Sequence, residues 1–181
     1  MYNNLRRFLA FLFALAVVYA GIKAGRLVYW GVVPVVLGEA LRIWSAGYIR
    51  KNRVLSVAGP YRYVRNPLYL GSFLIGLGFG IFVNNIVLLA AIAAMFLYIY
   101  TLKINSEERE LEKIFGERYL QYKRSAGRWL PLKKFAMDMS SGGISDGKFD
   151  FKLAIFKNNE YNAVLGCVLV VFVIIFFRKA V

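Results

Sequence analysis

The chain has 181 residues, of which 59% are hydrophobic and 19% charged, with a formal net charge of +14. That balance excludes an ordinary soluble domain, and because the basic groups alternate with apolar stretches it points to anionic lipid headgroups, with no nucleic acid as partner. Histidine is absent and Cys167 is the single cysteine, which removes a disulfide framework, a metal quartet and the usual general base together.

Apolar runs that approach the roughly 20 residues a helix needs to cross a bilayer predict spans at residues 8–22, 27–46, 68–83, 86–102 and 161–177. The first follows Arg6-Arg7 but lacks a small-x-small cleavage site, so it reads as a span and not as a leader. Within the second, Glu39 and Arg42 share a helix face at i, i+3, the spacing of an ion pair inside the bundle; the alternative is an Arg42 that faces a polar cavity. Spans three and four are joined only by Asn84-Asn85, the signature of a helical hairpin. Gly76, Gly78 and Gly80 in span three follow no strand, which argues for close helix packing and against a nucleotide loop.

Residues 105–122 predict one amphipathic helix, capped by Asn105 with Glu108 at its third position, with Leu111, Phe115, Tyr119 and Tyr122 on one face and Gly116 as an interruption. The chain thus divides into a membrane core at 1–131, a linker at 132–160 without recognisable chemistry, and a C-terminal transmembrane helix at 161–181. The fold class is an all-α polytopic transmembrane bundle of about five spans. Lys and Arg cluster after spans two and four, so the charge rule puts the N-terminus and both polar blocks on the cytoplasmic side, and leaves Arg178-Lys179 outside.

Two polar blocks hold the candidate chemistry. In the first, Pro60 and Pro67 forbid a continuous helix, and irregular backbone beside lipid persists only where protein buries it or it lines a polar cavity. Arg62 and Arg65 suit an anionic group, Asn66 offers both a donor and an acceptor, and Tyr61, Tyr63 and Tyr69 suit an adenine or a sulfonium. In the second, Glu107 and Glu108 point about 100° apart on a helix, so that one can face a cavity and the other solvent. Arg128 closes that block. An interfacial loop with anchoring aromatics, and acids placed against a helix dipole, account for much of this without any chemistry.

Taken in order, Gly59-Pro60-Tyr61, Arg65-Asn66-Pro67-Leu68-Tyr69-Leu70-Gly71, Glu107-Glu108, Phe115-Gly116-Glu117-Arg118-Tyr119-Leu120-Gln121-Tyr122 and Arg128-Trp129-Leu130-Pro131 resemble the isoprenylcysteine carboxyl methyltransferases and their phospholipid methyltransferase relatives. The resemblance covers residues 38–131. It implies a membrane enzyme that takes S-adenosylmethionine at the cytoplasmic face and methylates a lipidic or prenylated acceptor. Carried over, the cofactor residues are Tyr61, Arg65, Asn66, Pro67, Tyr69, Glu107 and Glu108, and the catalytic pair is Arg128 and Glu108. Asn66 departs from the histidine usual in the carboxyl methyltransferases and matches some phospholipid enzymes, which leaves carboxyl O-methylation first and lipid-amine N-methylation second. An NADPH-dependent reductase, similar to sterol reductases in its Arg-x-Pro-x-Tyr-x-Gly segment, and a non-enzymatic scaffold are the competing readings.

Overall fold

The computed structural model describes residues 2–50, 54–130 and 147–180, and these are helices joined by turns. In order they are α1 (Tyr2–Lys23), a 3-10 turn (Tyr29–Gly31), α2 (Val32–Ala46), a second 3-10 turn (Gly59–Arg62), α3 (Pro67–Phe82), α4 (Ile86–Met95), a π turn (Phe96–Tyr100), α5 (Thr101–Phe115), α6 (Glu117–Ser125), a second π turn (Leu153–Lys157) and α7 (Tyr161–Ala180). Pro67 sits in the first turn of α3, where its missing N–H and fixed φ cost nothing. Asn85 caps α4 by accepting the Leu88 N–H at 3.0 Å, which starts a new helix directly after the hairpin turn.

Two of the described helices are long and apolar enough to cross a membrane: the continuous rod Ile86–Phe115, of 30 residues, and Tyr161–Arg178. The apolar helices Phe11–Lys23 and Pro67–Phe82 are shorter. The second predicted span begins instead as a 3-10 turn, and its helix α2 has 15 residues. Outward residues on the long helices are apolar and open, with Ile86 at 76% and Leu169 at 61% exposed, a surface suited to lipid.

Helices α2 and α3 pack most closely. A Cβ on Gly71 would lie 2.7 Å from the Gly38 carbonyl oxygen and equally close to Cγ of Arg42. Gly78 faces Gly31 and Val35 on the same seam, whereas Gly76 and Gly80 receive Ile92 and Leu89 from α4. Close packing therefore explains the glycine pattern, since without a hydrophobic drive between helices in lipid, backbone proximity supplies the dispersion contacts. One apolar core joins α1, α2, α3 and α7 through Val17, Val35, Phe79, Phe82 and Ile174. A second, under the polar blocks, gathers Leu55, Val57, Tyr61, Tyr119, Tyr122 and Ala126.

Four expectations change. The amphipathic helix does not start at Asn105: that residue lies inside the long rod, because the apolar helix runs on through a π turn without a break. Nor does it continue to Tyr122, because Gly116, at φ 54° and ψ −131°, ends α5 and starts α6 in a new direction. Arg42 pairs not with Glu39 but with Glu160, at 2.8 Å, while Glu39 accepts from Cys167 at 3.2 Å. Finally, residues 147–160 are not a featureless linker, for they form a helical turn against the end of α2. Pro131 and the Ser140-Ser141-Gly142-Gly143 break lie outside the described residues.

Candidate functional site

The rod Ile86–Phe115 explains where the acids stand. At 1.5 Å per residue Glu107 lies roughly 32 Å beyond Ile86, which is about one hydrocarbon thickness. Glu107 and Glu108 therefore stand beyond the apolar part of the rod. As expected for neighbours on a helix they divide, the Glu108 side chain being 6% exposed and that of Glu107 38%.

The first block folds back onto the end of the second to meet them. Val64 pairs with Gly127 in a parallel bridge, the Arg65 N–H donates to the Gly127 carbonyl at 2.8 Å, and the Asn66 side-chain amide donates to the Arg128 carbonyl at 3.4 Å. This stitch brings both arginines to one carboxylate. Arg128 holds Glu108 through Nε at 3.3 Å and Nη2 at 3.1 Å, and Arg65 Nη2 approaches it at 3.5 Å. Lys123 Nζ stands 3.8 Å from Glu108 and 3.7 Å from Glu112. Three cations against two carboxylates leave one excess positive charge. It falls toward Arg65, whose Nε and Nη1 are buried with no hydrogen-bond partner among the described residues. Buried donors of this kind are costly unless an acceptor arrives, so the arrangement fits an anionic group.

Beside this cluster the Tyr69 hydroxyl donates to Glu107 at 2.7 Å, and Lys103 pairs with the same oxygen at 3.2 Å. An aromatic wall follows: Tyr69 meets Tyr100 edge-on at 5.1 Å, Tyr100 stacks on Phe96 at 4.6 Å, and Phe96 touches Trp129 at 5.1 Å and Phe73 at 4.3 Å. The π turn presents Phe96 and Tyr100, and π turns recur at functional sites because they rotate the side chains that follow out of helical register.

Seven of the eight predicted residues are thus gathered at one place: Arg65, Asn66, Pro67, Tyr69, Glu107, Glu108 and Arg128. Tyr61 is placed differently. Its ring is buried in the lower apolar core and its carbonyl accepts the Tyr122 hydroxyl at 2.7 Å, so it anchors the turn that leads into Arg65. Burial pushes the phenols of Tyr61, Tyr119 and Tyr122 well above the usual tyrosine range, so all three stay neutral donors. Gly59, at φ 57°, starts this turn against the ring of Tyr48.

Sequence reasoning missed Asn105, which accepts from Arg128 at 2.6 Å, as well as Lys103, Lys123, Tyr100 and Trp129. The spacings Asn105 to Glu108 and Lys103 to Glu107 were available as helix-face neighbours. The aromatic wall was not, because it depends on the π register.

The phospholipid methyltransferase family profile matches residues 9–118. The chain is 35% identical over 126 residues to the cobalt-zinc-cadmium resistance protein CzcN of Cupriavidus metallidurans, covering 68% of this chain and 58% of that protein. It is 32% identical over 95 residues to the protein-S-isoprenylcysteine O-methyltransferase of Schizosaccharomyces pombe, covering 52% and 40%. To methanethiol S-methyltransferase 1 of Bradyrhizobium diazoefficiens it is 30% identical over 74 residues, covering 41% and 25%. The chain therefore spans less than two thirds of each of these relatives. With the matched profile running through Arg65, the acidic pair and the helices that carry them, the chain belongs to the phospholipid methyltransferase family.

Proposed function

We propose that this protein is an S-adenosylmethionine-dependent methyltransferase acting on a lipidic acceptor at the cytoplasmic membrane face, within a bundle of about five spans, and that its first acceptor class is a prenylated or otherwise lipidic carboxylate. The observation that carries the reading is Arg65, buried with an excess positive charge and two unpartnered donors beside a tyrosine–carboxylate pair and an aromatic wall. Arg65, Asn66, Pro67, Tyr69, Glu107 and Glu108 would hold the cofactor, with Tyr61 fixing the turn beneath them. When bound, that group supplies a methyl on a sulfonium sulfur.

The chain's own residues do the rest. Arg65 would receive the cofactor's carboxylate on its two unpartnered donors. The faces of Tyr100, Phe96 and Trp129 exclude water and favour a cation, and positioning with desolvation is what a displacement with dispersing charge requires. Glu108 and Asn105 hold Nε and Nη2 of Arg128, whose side chain is 32% exposed, so that its Nη1 would orient an acceptor carboxylate. A carboxylate acceptor needs no base, which agrees with a chain that lacks histidine. An amine acceptor would need Glu107 as its proton acceptor, and Glu107 already takes the Tyr69 proton donor and Lys103.

The test is calorimetry on detergent-purified protein with S-adenosylhomocysteine and NADPH, using Arg65→Gln as control. Selective S-adenosylhomocysteine binding, weakened about tenfold or more by the substitution, is expected. NADPH binding alone, or binding of neither by folded protein, overturns the reading. Labelled methyl transfer to a prenylcysteine, a phospholipid amine and a small thiol then ranks the acceptors.

A further inference from the structure

The C-terminal segment lies outside the family-matched residues 9–118, yet it touches the site's supports at two points. At one, Phe149 packs on Tyr48 at 5.9 Å between centroids, and Tyr48 in turn lies against Gly59, where the turn toward Arg65 begins. Around it the Asp150 N–H donates to the Gly47 carbonyl at 3.1 Å, and the Asn158 amide donates to the Ala46 carbonyl at 2.7 Å, which satisfies the open end of α2.

The other point is Glu160, just before α7 and buried. Its carboxylate receives Arg42 Nε at 3.0 Å and Nη2 at 2.8 Å. The Arg42 stem crosses the α2–α3 seam over Gly71, and Nη1 donates to the Ser72 hydroxyl. Ser72 donates back to the Leu68 carbonyl at 3.1 Å, in the first turn of α3, and the next residue is Tyr69, which holds Glu107. A polar path thus runs from the start of α7 to the tyrosine–carboxylate pair.

Glu39, one turn before Arg42 on the same helix, supplies the alternative partner. Its Oε2 is buried with no hydrogen-bond partner among the described residues, although Oε1 accepts from Cys167. A guanidinium in apolar surroundings is held by whichever carboxylate is nearest and best oriented. Glu160 keeps Arg42 turned toward Ser72. Without it, the carboxylate left on the same helix face is Glu39, with an oxygen still unpartnered.

We infer that Glu160 is a positioning residue for the cofactor site: through Arg42 and Ser72 it fixes the first turn of α3 and hence Tyr69. This rests on the proposed cofactor reading and extends it to an element beyond the family core. It distinguishes α7 from a passive anchor, whose removal would lower stability but leave the folded site unchanged.

The experiment measures S-adenosylhomocysteine affinity by calorimetry, at a temperature well below the melting point of each variant, for the full chain and for Glu160→Gln, Glu160→Asp, Ser72→Ala and Glu160→Gln with Ser72→Ala. Lys152→Ala, an exposed change on the same segment, is the control. Glu160→Gln and Ser72→Ala should each weaken binding by about five- to tenfold, and the double variant no further, because both cut one path. Glu160→Asp should recover part of the loss, and Lys152→Ala should bind as the parent does. Independent losses that multiply in the double variant, or a lowered melting temperature with unchanged affinity, overturn the inference and leave the cofactor reading intact. A parent chain that binds no S-adenosylhomocysteine overturns both.

Discussion

Glu108→Ala tests the electrostatics of the site most severely. The substitution removes the carboxylate on which Arg65, Arg128 and Lys123 converge. Arg128 and Lys123 are 32% and 38% exposed, so water takes over much of their solvation and their lost pairing contributes little. Arg65, at 10% exposed and with two donors already unpartnered, has no such recourse. Stranding one buried charge costs about 3–5 kcal/mol. For a chain of this size each kcal/mol lowers the melting temperature by about 2–4 °C, so a fall of roughly 6–20 °C is expected in a thermal melt in detergent. Adding Arg65→Met removes the stranded charge and keeps an apolar stem of similar length. The double variant should therefore regain more than half of the lost stability while losing S-adenosylhomocysteine binding altogether. A single variant within about 1 kcal/mol of the parent would refute the reasoning, since ordinary surface pairs contribute no more than that. So would a double variant less stable than the single one, because it would mean that Arg65 is stabilised by something other than Glu108.

Three further outcomes are expected. Tyr69→Phe removes the 2.7 Å hydrogen bond to Glu107, worth about 1.5–3 kcal/mol for a charged acceptor; S-adenosylhomocysteine affinity should fall about tenfold or more in calorimetry, and unchanged affinity would detach Tyr69 from the site. Gly116→Ala meets nothing within 4 Å, so its cost is backbone strain alone, about 1–3 kcal/mol, read as a lowered melting temperature; a neutral result would mean that the α5–α6 corner is not held at positive φ. The phenols of Tyr61, Tyr119 and Tyr122, raised by burial, give a signed pH dependence. The unfolded chain releases these protons near pH 10 while the folded chain keeps them, so their contribution is fully present below about pH 10 and is lost as pH climbs beyond it. Phenolate absorbance should show three tyrosines that titrate only as the protein unfolds; all tyrosines titrating before unfolding would contradict this.

The all-helical class and most of the residues that the fold brings together were legible in the sequence alone. Apolar runs located the helices at residues 68–83 and 161–177 within a few residues of α3 and α7, because hydropathy over a turn or more is a local property. Asn84-Asn85 marked the hairpin, and the order of short motifs named the residues that the fold gathers. Distance and register were decided only in three dimensions. Nothing local announces that Val64 pairs with Gly127, and that one bridge places Arg65 and Arg128 on the same carboxylate. Asn105 read as a cap because a polar residue before an acidic turn favours a helix start. The apolar helix runs on through Asn105, so no start is needed there and the side chain is left to hold Arg128. Arg42 shows the same limit in the other direction: spacing on one helix favoured Glu39, but Glu160, far away in the chain, offered Nε and Nη2 of the guanidinium a carboxylate oxygen. A buried charge chooses its partner by geometry after packing, and sequence separation does not enter that choice.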